Sequence, residues 1–467
     1  MPEAAIALNR FGLGFRAGDP PQTDVRRGLL QQLDRFDPAP PLLRGLAATP
    51  TVITQLAQYQ QSRRDMRKAN QPDPDARSAG DAKRANDGNA RQDLRQNYVA
   101  AVGARAQLAI ATDTPFVERL VHFWSNHFAV SADKAAVLSL AGPFENEAIR
   151  PHVLGKFSDV LAAVEQHPAM LLYLDQAQSI GPNSALGLRA GQRGKDRGLN
   201  ENLAREILEL HTLGVRSGYS QADVTELARA LTGWTVGGLS AQPRLRGPGP
   251  GFWFADILHE PGQRTIMGRR YAQAGQAQAR AVLDDLAVHP STARHIATKL
   301  ARHFCTDEPP VSLVTRLEQA FLRSGGDLSA VYLALIESGE PWGRFPAKFR
   351  TPWDWTIAAL RVAGQRDFLG NRAASVLQQL GQAIWRPGSP AGFDDITASW
   401  AGPDALYRRV ELAERLADRL GALDARVVSE PAFPGTLSAA TRQAIARAES
   451  GSQALALFLV SPEMLRR

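Results

Sequence analysis

The spacing of hydrophobic residues along the chain predicts a mainly helical protein. Two short apolar segments, 252–255 and 264–267, instead predict the strands of a β-hairpin around Pro261 and Gly262. We therefore expect one large multi-helix domain over residues 1–467 with a small β-hairpin insertion. Apolar residues recur at the i, i+3, i+4 spacing of helices over 99–129, 145–164, 168–177, 199–213, 221–232, 274–287, 290–304, 311–323, 328–337, 352–363, 371–381, 403–420, 438–448 and 451–459.

Two segments depart from this helical pattern. Residues 62–98 are polar and almost free of aliphatic side chains, which predicts a disordered insert or a loosely held, solvated helix. Residues 186–198 are rich in glycine and arginine and predict a flexible loop. Neither segment contributes to the expected hydrophobic core.

The net charge of the chain gives only a weak indication of function. The 54 Lys and Arg residues exceed the 47 Asp and Glu residues, so 467 residues carry a formal charge of +7. Such an excess invites a nucleic-acid partner, but much of it falls in the polar insert and the Gly/Arg loop. Nucleic-acid binding would rest on charge alone, and we do not expect it.

The single cysteine, Cys305, excludes an internal disulfide and a zinc site built from cysteines. Its position at the end of an apolar run predicts a buried core residue. The sequence contains no 18-residue apolar run and begins without a basic, apolar leader. We therefore expect a cytoplasmic protein without a transmembrane segment.

One predicted helix, 200–214, carries an unusual polar arc. At about 100° per residue, the side chains of Glu201, Arg205, Glu206 and Glu209 share this arc with an amide, whereas His211 falls on the apolar side. The arc is open to two interpretations. It is either a solvated ladder of i, i+4 ion pairs, or a face that pairs a general acid with a base or holds a cation.

Three further residues are candidates for chemistry. His127 lies among aromatic residues on one face of the 99–129 helix, where an imidazole is either a perturbed functional group or a core histidine. Asp175 closes a helix, where a carboxylate is unfavourable beside the helix dipole. His259 lies on the loop between the two predicted strands. The spacing of these residues identifies neither a cofactor nor a metal.

The order of several motifs resembles a bacterial family of unknown function, numbered 1800. The motifs that carry the resemblance are 7–14, 122–128, 149–152, 167–175, 200–214, 219–224, 228–234, 289–290 and 348–352. The resemblance implies a mainly helical protein, often encoded beside a second exported family, numbered 1501, which is similar to phosphatases and sulfatases. It also implies a periplasmic alternative, in which the chain is exported together with such a partner.

Two hypotheses of different classes follow. In the first, the protein is an enzyme, expected to be hydrolytic, whose catalytic groups come from Glu201, Arg205, Glu206, Glu209, His127, His259 and Asp175. In the second, it is a non-catalytic helical partner or carrier for the neighbouring family-1501 protein, and the same residues form a structural ion network.

Overall fold

Helices build most of the structure, as the sequence predicts. The computed structural model describes residues 2–19, 24–69, 77–192, 198–343, 348–367, 372–420 and 423–467. In the first half of the chain the helices are α1 (Pro2–Ile6), α2 (Val25–Arg35), α3 (Thr49–Ala69), α4 (Arg77–Ala111), α5 (Pro115–His127), α6 (Ala141–Pro143), α7 (Phe157–Gln166), α8 (Pro168–Tyr173), α9 (Ala185–Gly191), α10 (Asn202–Glu206) and α11 (Gln221–Leu231).

The second half of the chain continues in the same way. Its helices are α12 (Gln276–Ala287), α13 (Pro290–Phe304), α14 (Val311–Ser324), α15 (Leu328–Glu337), α16 (Pro352–Val362), α17 (Ala373–Gln379), α18 (Pro403–Arg419), α19 (Ala425–Ala432), α20 (Ala439–Ala446), α21 (Gly451–Leu459) and α22 (Pro462–Leu465). Wider π-helical turns extend α1, α6 and α10 over Ala7–Phe11, Phe144–Ile149 and Ile207–His211.

Capping residues in the local sequence set the first residues of α11, α13 and α16. Thr351 caps α16, because its hydroxyl accepts the Asp354 N–H at 3.1 Å and proline follows it. His289 caps α13 in a similar manner, with its Nδ1 accepting the Ser291 N–H at 3.1 Å. Ser220 and Asp223 form the reciprocal capping box of α11.

The small β insertion is present, but its predicted pairing is wrong. Strand β2 (Gly251–Phe254) pairs antiparallel with β1 (Trp234–Gly237), and β3 (Arg264–Ile266) pairs with β4 (Arg269–Tyr271). The predicted strands therefore belong to separate two-stranded sheets. Met267 and Gly268, both with positive φ, form the two-residue turn between β3 and β4. The chain therefore reverses direction there and not at the predicted turn of Pro261 and Gly262.

The two atypical segments lie partly outside the described residues. Within the polar segment 62–98, residues 62–69 belong to α3 and 77–98 to α4, while 70–76 are not described. The two helices pack against each other. In the Gly/Arg segment 186–198, residues up to 191 belong to α9 and 193–197 are not described.

The core centres on helices with little exposed surface. Every residue of α16 is buried, and α5 is buried along most of its length. Helix α13 packs against α14, and α16 packs against α4. Cys305 is buried at the end of α13, as predicted. Among the helices of the described part of the chain, none is sufficiently long and apolar to cross a membrane.

Candidate functional site

A cavity of about 420 Å³ lies between α5, α13, the first turn of α16 and the irregular segment 382–396. Its volume falls in the range of small-molecule sites. Its lining is rich in charged and ring side chains: Arg105, Arg119, His122, Phe123, Ser125, Asn126, His127, His295, Lys299, Arg302, His303, Thr351, Trp353, Asp354, Gln382, Trp385, Phe393, Asp394 and Asp395.

A carboxylate orients one imidazole in this lining. Nδ1 of His303 donates to Oδ2 of Asp395 at 2.6 Å. Burial lowers the pKa of His303 to about 4, against the opposing attraction of Asp395. The ring is therefore neutral near pH 7, so Nε2 carries the lone pair. That Nε2 atom is buried and has no hydrogen-bond partner among the described residues.

Two more imidazoles of the lining are held in one tautomer by backbone carbonyls. Nε2 of His127 donates to the carbonyl of His211 at 3.1 Å, and Nε2 of His295 donates to the carbonyl of Leu210 at 3.1 Å. Burial lowers the pKa of His127 well below its usual value and that of His295 to about 4. Both Nδ1 atoms therefore carry lone pairs, as Nε2 of His303 does.

Gly214 leaves room for the imidazole of His295. Its φ is +90°, and a Cβ at this position would lie 3.0 Å from Nδ1 of His295. A side chain at position 214 would therefore crowd the lone pair of His295.

Helix α13 also supplies two cations that no carboxylate neutralises by direct contact. Lys299 makes no hydrogen bond or ion pair with any described residue, although it lines the cavity. Burial lowers its pKa to about 8, while Asp395 opposes this shift. Arg302 donates to the carbonyl of Asp307 at 3.1 Å, and no described carboxylate lies within ion-pair distance of it.

The other charges of the lining are paired. Arg119 donates to Asp354 at 2.9 Å, and Arg467 lies 3.1 Å from the same carboxylate. Burial alone would raise the pKa of Asp354, but these two guanidiniums outweigh it and hold the carboxylate ionised. Lys348 lies 3.2 Å from Asp395, so that carboxylate contacts both an ammonium and the imidazole of His303.

Aromatic side chains form a second part of the lining. The Arg105 guanidinium lies 4.3 Å from the ring centre of Trp353 and 5.6 Å from that of Trp385. Glu145 accepts from this arginine at 2.8 Å and also from the indole N–H of Trp385 at 3.0 Å. The aromatic part of the lining therefore contains a cation whose charge is already balanced.

The predicted polar arc of α10 lies elsewhere, on a partly exposed surface. Glu201 accepts from Thr225 at 2.6 Å, from Gln221 at 2.7 Å and from Arg205 at 3.3 Å. The bond from Thr225 is the largest cause of the lowered pKa of Glu201. Arg205 also donates to Gln221 at 3.0 Å. We call Glu201, Arg205, Gln221 and Thr225 the α10 surface network.

The remaining predicted residues do not join this network into one site. Glu209 accepts from Tyr219 at 3.0 Å, and burial raises the pKa of Glu206. Asp175, with φ of +59°, pairs with Lys134 at 2.7 Å. His259 donates from Nδ1 to the carbonyl of Thr232 at 2.8 Å. Each of these residues has its own local partner or environment.

Of the seven predicted site residues, His127 is the one that lines the cavity. Sequence reasoning missed His303, Lys299 and Asp395. A helical wheel of the predicted 290–304 helix would have shown the i, i+4 spacing of His295, Lys299 and His303. Asp395 offers no such signal, because it lies 92 residues from His303. Among the described residues, no cluster of three or more His, Cys, Asp or Glu side chains is placed to hold a metal ion.

Comparison with known protein families places the chain in one of them. Residues 6–466 match the family described as "Protein of unknown function (DUF1800)". Because the match covers nearly the whole chain, this protein belongs to the DUF1800 family. No curated protein and no solved structure matches the chain.

Proposed function

We propose that the protein is a hydrolytic enzyme whose active site is the cavity between α5 and α13. The observation that carries the proposal is the Asp395–His303 pair, in which a carboxylate fixes a neutral imidazole whose Nε2 has no partner. A general base needs a free lone pair and a fixed ring orientation. Lys299, one helical turn before His303, supplies a proton donor without a competing partner.

The roles of these groups follow from their protonation states. Nε2 of His303 is buried in this structure, so a water molecule must first reach it from the cavity. Nε2 then takes a proton from this water while the water oxygen bonds to the electrophilic centre of an ester. The bond from that centre to the leaving oxygen breaks, and the ammonium of Lys299 donates the proton that this oxygen needs. Asp395 stabilises the imidazolium that forms, as a carboxylate does in other oriented histidine pairs. An acid and an alcohol are the products.

A substrate panel with a pH profile tests this proposal. We expect hydrolysis of at least one p-nitrophenyl carboxylate, phosphate or sulfate ester. Its kcat/KM should rise through the pKa of His303, about 4, and fall through that of Lys299, about 8. The rise requires loss of a proton from the base, and the fall follows loss of the proton from the acid.

Variants separate the cavity from the residues predicted elsewhere. His303→Gln should lower kcat/KM by roughly 10²- to 10⁴-fold, the usual contribution of a general base. His259→Gln is the matched control, since His259 contacts the carbonyl of Thr232 and does not line the cavity. Full activity in folded His303→Gln protein, or loss of activity in Glu206→Gln instead, would contradict the proposal.

One observation supports the non-catalytic alternative. The α10 surface network consists of mutual hydrogen bonds on a partly exposed face, as a structural ion network would. Under this alternative the chain is a partner or carrier for a family-1501 protein, and its compartment is the periplasm through co-export rather than the cytoplasm. Native mass spectrometry of the two proteins mixed at equal concentration tests it, because a stable complex without hydrolytic activity would favour the partner role.

A further inference from the structure

The two parts of the cavity lining differ in their charge balance. On α13, Lys299 has no partner and Arg302 contacts only the carbonyl of Asp307 among the described groups. In the aromatic part, the charge of Arg105 is balanced by Glu145, and Trp353 and Trp385 flank its guanidinium. A cation that lines a cavity without a counter-ion is stabilised when a ligand supplies the negative charge.

The other acidic groups of the lining already have partners. Asp354 contacts Arg119 and Arg467, and Asp395 contacts His303 and Lys348. Asp394 accepts from the hydroxyl of Ser399 at 2.8 Å. Lys299 and Arg302 are therefore the cations of the described lining that no carboxylate contacts within ion-pair distance. The carboxylate of Asp394, which bonds to a hydroxyl, keeps its negative charge.

We propose that this cavity binds a small anion with an aromatic body, whose negative group contacts Lys299 and Arg302 and whose ring packs on Trp353 and Trp385. The cavity of about 420 Å³ accommodates a molecule of this size. The parts of Trp353 and Trp385 that line the cavity, small because Arg105 lies over both rings, supply apolar contact area for a planar ring. The inference names the substrate class of the proposed hydrolase and so rests on that function for its biological meaning, whereas its binding test does not require catalysis.

Calorimetric titration of the full-length protein tests the binding. The probes are benzoate, phenyl phosphate and phenyl sulfate, compared with benzyl alcohol and with inorganic phosphate. We expect at least one aromatic anion to bind more than tenfold tighter than both benzyl alcohol and inorganic phosphate. The preferred anion identifies whether the negative group is a carboxylate, a phosphate or a sulfate.

Matched variants locate the anion on α13. Lys299→Met should weaken binding of the aromatic anion by roughly 10- to 100-fold, the effect of losing a hydrogen bond to a charged group. The affinity for benzyl alcohol should stay unchanged. Lys299→Arg should keep most of the affinity. Arg294→Gln removes a charge from the same helix outside the cavity, where Arg294 pairs with Glu318 at 2.8 Å, and should have no effect.

The outcomes separate this inference from the proposed function. Equal loss of affinity in Lys299→Met and Arg294→Gln, or benzyl alcohol binding as tightly as the anions, would overturn the anion site. Lys299-dependent binding without hydrolysis of any ester would support the anion site and reject the hydrolase. Hydrolysis of neutral esters that is insensitive to added aromatic anions would support the hydrolase and reject the anion site.

Discussion

The wall of the cavity on α13 and the polar arc of α10 both carry ionisable side chains at i, i+4 spacing, but in different environments. On α10, Glu201 and Arg205 bond to each other and to neighbours on α11 at a partly exposed surface. On α13, Lys299 and His303 are partly buried in the cavity lining, and each has a polar atom that forms no hydrogen bond with another described group. The i, i+4 spacing is alike in the two helices, whereas the charge is mostly negative on the α10 arc and positive on α13. The two also differ in whether the polar groups are satisfied by the protein itself.

This difference has an energetic meaning. An exposed ion pair contributes little to stability, because water already solvates both charges. An enclosed charge without a partner costs free energy, and a protein retains it where binding or catalysis compensates. The cavity is therefore the better candidate for function, and the α10 surface network is better explained as surface structure.

The largest expected effect on stability concerns the buried ion pairs of the cavity lining. Asp354→Ala should lower the free energy of unfolding by about 3–5 kcal/mol, because it leaves Arg119 buried without a carboxylate and removes the nearer of the two carboxylates of Arg467, which also lies 3.9 Å from Asp395. Urea denaturation measures this change. The control is Asp404→Ala, which removes an exposed partner of Arg408 and should change stability by less than about 0.5 kcal/mol. Equal losses of stability in Asp354→Ala and Asp404→Ala would show that burial does not set the strength of these ion pairs.

A smaller effect, of opposite sign, is expected at Lys299. Lys299→Met should raise the free energy of unfolding by about 1–2 kcal/mol near neutral pH, since it removes an enclosed charge without a partner. Such a gain in stability together with loss of ligand binding is the behaviour of a functional residue. Loss of stability in this variant would instead assign Lys299 a structural role.

The pH dependence of that gain follows from the pKa of Lys299. The folded protein releases the proton near pH 8, whereas the unfolded chain holds it to about pH 10.4. Between these values the unfolded chain binds more protons, so the stability of the unmodified protein rises with pH. The advantage of Lys299→Met should therefore shrink from pH 8 towards pH 10. Thermal unfolding across this range measures the stability difference between Lys299→Met and the unmodified protein. Arg294→Gln is the control, because its stability difference should stay constant over the same pH range.

The sequence predicts the fold class because helix periodicity and capping are local properties. The caps at Ser220 and Thr351 could be identified from neighbouring residues alone. The pairing of β2 with β1 could not, because β1 follows the predicted 221–232 helix in a segment for which the sequence predicts no strand. Strand partners depend on turns and on tertiary packing, and a short apolar segment does not specify them.

The site was harder to predict for a related reason. A helical wheel shows that side chains share a face, but it does not show whether that face meets solvent or a cavity. The arc of α10 and the face of α13 look alike by this criterion. The aromatic neighbours of His127 gave a correct indication of enclosure. Asp395 could be found only from the fold, since the irregular segment that contains it approaches α13 through tertiary contacts.

The smallest effect is expected in the α10 surface network. Glu201→Gln should lower the free energy of unfolding by no more than about 1 kcal/mol, because the bonds from Thr225 and Gln221 form at a surface that water also reaches. Since those bonds lower the pKa of Glu201, the carboxylate stabilises the fold above its unfolded pKa of about 4.3 and loses this contribution as the pH falls. The difference in free energy of unfolding between the unmodified protein and Glu201→Gln should therefore narrow below about pH 4. A loss comparable to that of Asp354→Ala, or a loss of hydrolysis in folded Glu201→Gln protein, would show that the α10 surface is part of the functional site.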